Sequence, residues 1–207
     1  DRDKLEIMGK VWPIDAVAKN ASTSIYGNIV SLAESPKKEG LLYVGTDDGL
    51  INVSLDGGQN WKRYKNFHGV PEFSYVSCIT PSLFDENVVF ATFDNHKMAD
   101  FKPYILKSSD KGKSWTNISS NLEEPDVVYT IVQDHKDKNL LFIGTEYGVY
   151  FSYNEGKKWI QLKSGLPTIA VRDIAIQQRE SDLVLGTFGR SFYILDNYSA
   201  LRNLDRK

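Results

Sequence analysis

Ser54-Leu55-Asp56-Gly57-Gly58-Gln59-Asn60-Trp61 decides how this chain is read, because the phrase returns twice. It recurs as Ser108-Ser109-Asp110-Lys111-Gly112-Lys113-Ser114-Trp115 and as Ser152-Tyr153-Asn154-Glu155-Gly156-Lys157-Lys158-Trp159. The shared pattern is S-x-D-x-G-x-x-W, with Asn in place of Asp in the third copy. The copies start 54 and 44 residues apart, and a period in this range is the signature of a repeat architecture. Each copy lies between an apolar run and a Trp-bearing run, where the chain must reverse. Ser and Asp side chains hydrogen-bond to nearby backbone groups and hold such a turn closed. Gly58, Gly112 and Gly156 suit positions of positive φ, and Trp61, Trp115 and Trp159 supply apolar bodies to pack beneath the turn. The phrase is therefore a structural clasp. A catalytic role for its aspartates is disfavoured by Asn154, which cannot act as an acid or base.

Each clasp ends a longer unit. The units open on strand-like runs at 28–32, 76–79, 128–132 and 171–176, followed by second runs at 41–46, 88–92, 140–145 and 183–187. Third runs lie at 50–54, 104–108, 149–152 and 191–195, and in three units the clasp then opens a fourth. No helical periodicity is sustained, so the expected class is all-β. Four-stranded units repeated radially are the blades of a β-propeller; a linear β-solenoid would have much shorter repeats. The expected organisation is an N-terminal strand and connecting loop (1–26), four propeller repeats (27–197) and a charged tail (198–207). The last unit lacks a clasp, so its fourth strand is expected from 5–12 or from outside this chain.

Composition excludes several classes. The 207 residues carry 25 Lys+Arg against 27 Asp+Glu, a net charge of −2, without the basic stripe of a nucleic-acid binder. No apolar run is long enough to span a bilayer. The one cysteine, Cys78, excludes an internal disulfide and reads as a buried, inert thiol. His68, His96 and His135 lack paired metal-ligand spacing. EF-hand spacing, phosphate-binding glycine loops and G-x-S-x-G elbows are also missing, so no cofactor and no metal are expected.

With the clasps go three recurring Gly-Thr turns: Gly45-Thr46-Asp47-Asp48-Gly49, Gly144-Thr145-Glu146-Tyr147-Gly148 and Gly186-Thr187-Phe188-Gly189-Arg190. Together they resemble the Asp-box family, or bacterial neuraminidase repeats, and more closely the propellers of sortilin-type receptors and related glycosyl hydrolase-like proteins. The resemblance covers roughly residues 27–202. It implies an extracytoplasmic protein (secreted or periplasmic) and a propeller of six or more blades. The partners would then be the remaining blades of a parent propeller, or a second copy.

The resemblance also implies that the clasps, with Ser54, Asp56, Ser108, Asp110, Ser152 and Asn154, lie on the outer edge. Ligands would meet the opposite rim, where the Gly-Thr turns place Asp47, Asp48, Glu146, Tyr147, Phe188 and Arg190, a long insertion (94–100) places Asp94, His96 and Lys97, and an inter-unit link places His68 and Glu72. A glycoside hydrolase needs two carboxyl groups about 5–10 Å apart, and Asp47, Asp48 and Glu146 are the candidates for catalysis. Asp47 and Asp48 also read as plain turn-formers before Gly49. A sialidase would need an arginine cluster, of which only Arg172 and Arg190 are well placed. The leading expectation is a module or scaffold that binds a protein or peptide. Part of a glycoside hydrolase, or of a carbohydrate-binding propeller, is the alternative.

Overall fold

A computed structural model describes residues 6–7, 10–11, 13, 27–163 and 165–206. Strands β1 (Glu6–Ile7) and β2 (Lys10–Val11) precede four sheets in chain order. Blade 1 holds β3 (Ile29–Glu34), β4 (Leu42–Thr46), β5 (Ile51–Ser54) and β6 (Lys62–Tyr64). Blade 2 holds β7 (Tyr75–Pro81), β8 (Val89–Asp94), β9 (Tyr104–Ser108) and β10 (Thr116–Asn117). Blade 3 holds β11 (Val128–Gln133), β12 (Leu141–Thr145), β13 (Gly148–Ser152) and β14 (Ile160–Leu162). Blade 4 holds β15 (Val171–Gln177), β16 (Asp182–Thr187) and β17 (Phe192–Leu195).

Every sheet is an antiparallel meander in sequence order. The first strands touch in succession, β3 to β7, β7 to β11 and β11 to β15, so the blades fan from a common inner edge. This is the blade arrangement of a β-propeller. Middle blades are covered on both faces, which explains their continuous apolar runs. In β8, Val89, Ala91 and Phe93 join the core shared with Tyr43, Val53 and Phe67, whereas Phe90 joins Val128, Ile131 and Trp159 on the other side. A third core joins blades 3 and 4 through Phe142, Phe151, Ile174, Leu183 and Leu185.

Two expectations need correction or limits. β1 and β2 pair with each other, Glu6 with Val11 and Ile7 with Lys10, and the last sheet has three strands among the described residues. A local hairpin forms without closing a long loop, so β1 and β2 form a sheet of their own and not a fourth strand of blade 4. The connecting loop expected up to residue 26 lies, from residue 14 on, outside the described residues. The tail forms a 3-10 helix, Tyr198–Arg206, with the buried Tyr198 ring 4.9 Å from that of Phe142.

Candidate functional site

The clasps close as turns. Ser54, Ser108 and Ser152 each accept, on Oγ, the amide of the glycine four residues on, at 2.8 Å. Those glycines hold φ of 91°, 82° and 84°. Each serine also donates to Asp56, Asp110 or Asn154 at 2.8–2.9 Å. Trp61 and Trp115 donate from Nε1 to the carbonyls of Gly58 and Gly112. Trp159 instead donates to Ile118 O at 2.8 Å and is buried, so the third clasp ties blade 3 to blade 2.

The inner strands carry the site. Each slips register by one residue at the same place, between Ile29 and Ser31, Val76 and Cys78, Val128 and Thr130, and Val171 and Asp173. A bulge re-aims the skipped side chain, and the skipped residues are Val30, Ser77, Tyr129 and Arg172. Three of them, Ser77, Tyr129 and Arg172, line one cavity of about 320 Å³ with Tyr75, Asp94, His96 and Lys97.

The chemistry of this cavity is aromatic and mixed in charge, with Arg172 and Lys97 facing Asp94 and the bordering Glu146. The Arg172 guanidinium lies 3.7 Å from the Tyr129 ring centroid and 5.5 Å from that of Phe188, a favourable cation–π stack. It stands 3.7 Å from a Glu146 carboxylate oxygen and forms no hydrogen bond among the described residues. Glu146 accepts a hydrogen bond from the Tyr129 hydroxyl. Burial, followed by that bond, pushes the Tyr129 hydroxyl well above its usual range, so it remains a donor. Tyr75 is raised too, by burial and then by the charges of Asp47 and Asp94. The His96 ring lies 2.7 Å from both oxygens of the buried Asp94.

The rim residues singled out from sequence divide into several groups. Asp47 is buried and tied to Asn28, accepting from its amide at 2.9 Å and its side-chain nitrogen at 2.8 Å. Asp48 accepts from the Thr46 hydroxyl. Asp48 and Glu72 line a second cavity of about 430 Å³, with Arg63, Lys65 and Phe73 among its other walls. Tyr147, Phe188, Arg190 and His68 are exposed. Glu146 and Phe188 border the Arg172 cavity through their contacts with its lining.

Asp94, His96 and Lys97 belong to the insertion 94–100 that the sequence reading places on the ligand face, and they do line the Arg172 cavity; Tyr75, Ser77 and Tyr129 it missed as site residues. Aligning the four inner strands on their leading Ile or Val would have shown that Ser77, Tyr129 and Arg172 share one position. It also missed Asp126, a buried carboxyl in the link between blades 2 and 3. Burial raises Asp126 above the usual carboxylate range, against hydrogen bonds from Thr145, Tyr150 and the Tyr147 amide. Among the described residues no cluster of His, Cys, Asp and Glu is arranged to hold a metal. No described helix is long and apolar enough to cross a membrane.

Comparison with known proteins supplies the context. No protein-family model and no curated protein sequence matches the chain. Among solved structures, YCF48 bound to D1 peptide is similar, with a TM-score of 0.61 at 15% identity over 83% of this chain and 52% of that one. The GH74 enzyme of Niastella koreensis gives 0.66 at 19% identity, over 84% of this chain and 29% of that one. The computationally designed Ika4 protein gives 0.54 at 16% identity, over 82% and 91%. The chain folds as β-propeller blades. It spans about half of the YCF48 chain and less than a third of the GH74 enzyme.

Proposed function

We propose that this propeller segment is a peptide-binding module whose site is the cavity at the inner-strand bulges. The observation that carries this reading is Arg172, stacked on the Tyr129 ring near Phe188, with Glu146 3.7 Å away and no hydrogen bond among the described residues. A guanidinium presented in this way suits a carboxylate or main-chain carbonyl, because charge-assisted, bidentate bonds are the strong ones. Lys97 adds positive charge on one side, the His96 ring sits against Asp94, and Tyr75 and Tyr129 offer apolar bodies with polar tips. A peptide-bound propeller among the structures of like fold supports the reading at the level of the scaffold. The larger cavity, with Asp48, Glu72 and the half-exposed Phe73 in its lining, is where a carbohydrate would be bound or cleaved.

One experiment separates the two. Labelled peptides ending in a free carboxylate or an amide are titrated by fluorescence anisotropy, and a panel of β-glucans is assayed for reducing ends in parallel. Acid-ended peptides should bind, and Arg172→Ala should weaken them about tenfold, the loss of one charge-assisted contact. Peptide binding indifferent to Arg172→Ala, together with glucan cleavage lost in Asp48→Asn, would transfer the function to the larger cavity.

A further inference from the structure

We infer that two copies of this chain close one ring, blade 4 of each copy receiving the inner strand of blade 1 of the other. The joint between successive blades has a repeating construction. Ile29, Val76, Val128 and Val171 hold one register, the last paired residue before the bulge, and Leu32, Ile79, Ile131 and Ile174 hold the register three residues on. In β7, β11 and β15 both positions are buried, within the cores between blades.

In the first and third joints the receiving side is a glycine on the second strand of the preceding blade, while in the second joint the buried Thr92 holds that register. A Cβ on Gly45 would meet the Val76 side chain at 2.5 Å, and one on Gly144 would meet the Val171 carbonyl oxygen at 2.5 Å. Blade 4 repeats this socket at Gly186, which pairs with Asp173 as Gly45 pairs with Ser31 and Gly144 with Thr130. Here, however, the nearest atom to an added Cβ is Asp173 of the same sheet, at 3.6 Å. The socket is built and open. On the same face as Gly186, Phe192 and Ile194 are 76% and 62% exposed, and at the other end of the arc Ile29 and Leu32 are 67% and 69% exposed.

The occupant follows from this match. What fits the Gly186 socket is the head of an inner strand with a β-branched residue, and β3 carries one uncovered. Ile29 and Leu32 are too exposed for blade 1 to be seated on blade 4 of its own chain. A polar contact has a counterpart as well. Ser31 Oγ accepts the Ile79 amide at 3.0 Å across the first joint; Asp173 stands at the Ser31 register, its Oδ1 taking the Ile174 amide at 2.9 Å and its second oxygen left to take the Leu32 amide of a second copy. Two identical head-to-tail joints close under twofold symmetry without leaving a free end.

Light scattering coupled to size exclusion tests this on the chain itself. The expected mass is twice 23.5 kDa, reverting to one chain at high dilution. Leu32→Asp and Gly186→Leu should each give monomers, with circular dichroism and melting showing that the blades still fold. Mixed in equal amounts, the two variants should pair again through the one joint that keeps both its socket and its knob, more weakly than the parent because the other joint is altered on both sides. A parent that is monomeric at every concentration overturns the proposal and leaves these faces to blades of other sequence. A doubled mass that survives both substitutions overturns it too.

Discussion

Asp110 and Asn154 occupy the same place in successive clasps, and one oxygen separates their roles. In both, Oδ1 accepts the serine hydroxyl two residues back and the amide four residues on, at 2.8–2.9 Å. Asp110 Oδ2 also accepts the Ser114 hydroxyl at 2.6 Å, as Asp56 Oδ2 accepts the Asn60 side chain at 2.7 Å. The third clasp has Lys158 at that position, and an amide is sufficient there. Burial works to raise Asp110, but the Ser114 and Ser108 bonds bring it to about 2. A depressed carboxyl stabilises the fold above its unfolded value near 4, and that contribution is lost as pH falls through about 2. Asp110→Asn should therefore cost about 1 kcal/mol at pH 7, the net worth of a charge-assisted bond partly screened by water. Asn154→Asp should stay within about 0.5 kcal/mol of the parent. Urea midpoints at pH 7 decide the matter, and equal losses in both variants would show that the second oxygen is idle.

At the scale of elements, the C-terminal 3-10 helix is held to blade 3 by one buried carboxylate. Asp134, just after β11, accepts from Tyr198 OH at 2.5 Å, from Arg202 Nε and Nη2 at 2.9 and 2.8 Å, and from the Lys136 and Asp137 amides at 3.0 and 2.7 Å. Burial alone would raise its pKa; the Arg202 and Tyr198 bonds carry it down to about 2. The folded value lies below the unfolded one, so about 2 kcal/mol of stability is present above pH 4 and disappears as pH falls through 2. Arg202→Ala should cost about 3 kcal/mol at pH 7, because it leaves a buried carboxylate unpaired, and should flatten the loss of stability between pH 4 and 2. Denaturation curves taken across that range give the answer, and a variant with the parent's acid profile would separate Arg202 from Asp134. The strands themselves were legible in the sequence because alternation, Gly-Thr turns and clasps are local signals. The Asp134–Arg202 tie, 68 residues long, and the cavity formed by Tyr75, Tyr129 and Arg172 were not. Both depend on which blades are neighbours and where each inner strand slips register, and only a comparison of the repeats with one another, not a pattern within one strand, could bring Ser77, Tyr129 and Arg172 to one position.

At the scale of the whole molecule, the arc is a stack in which each blade touches only its neighbours, so its stability is a sum over blades and joints. The joint between blades 3 and 4 leaves the least room, since an added Cβ on Gly144 would lie 2.5 Å from a backbone oxygen that cannot turn away. Gly144→Ala should weaken that joint by about 2 kcal/mol, the usual cost of overpacking. The chain's four tryptophans, Trp12, Trp61, Trp115 and Trp159, all precede blade 4 in the sequence. In the parent, tryptophan fluorescence and far-ultraviolet circular dichroism should report one coincident transition. In Gly144→Ala, blade 4 should be released first, so the circular dichroism signal starts to fall at lower urea than the fluorescence. Two probes shifting together by the same amount would mean that the four blades unfold as one unit, with the joint strain shared across the whole arc.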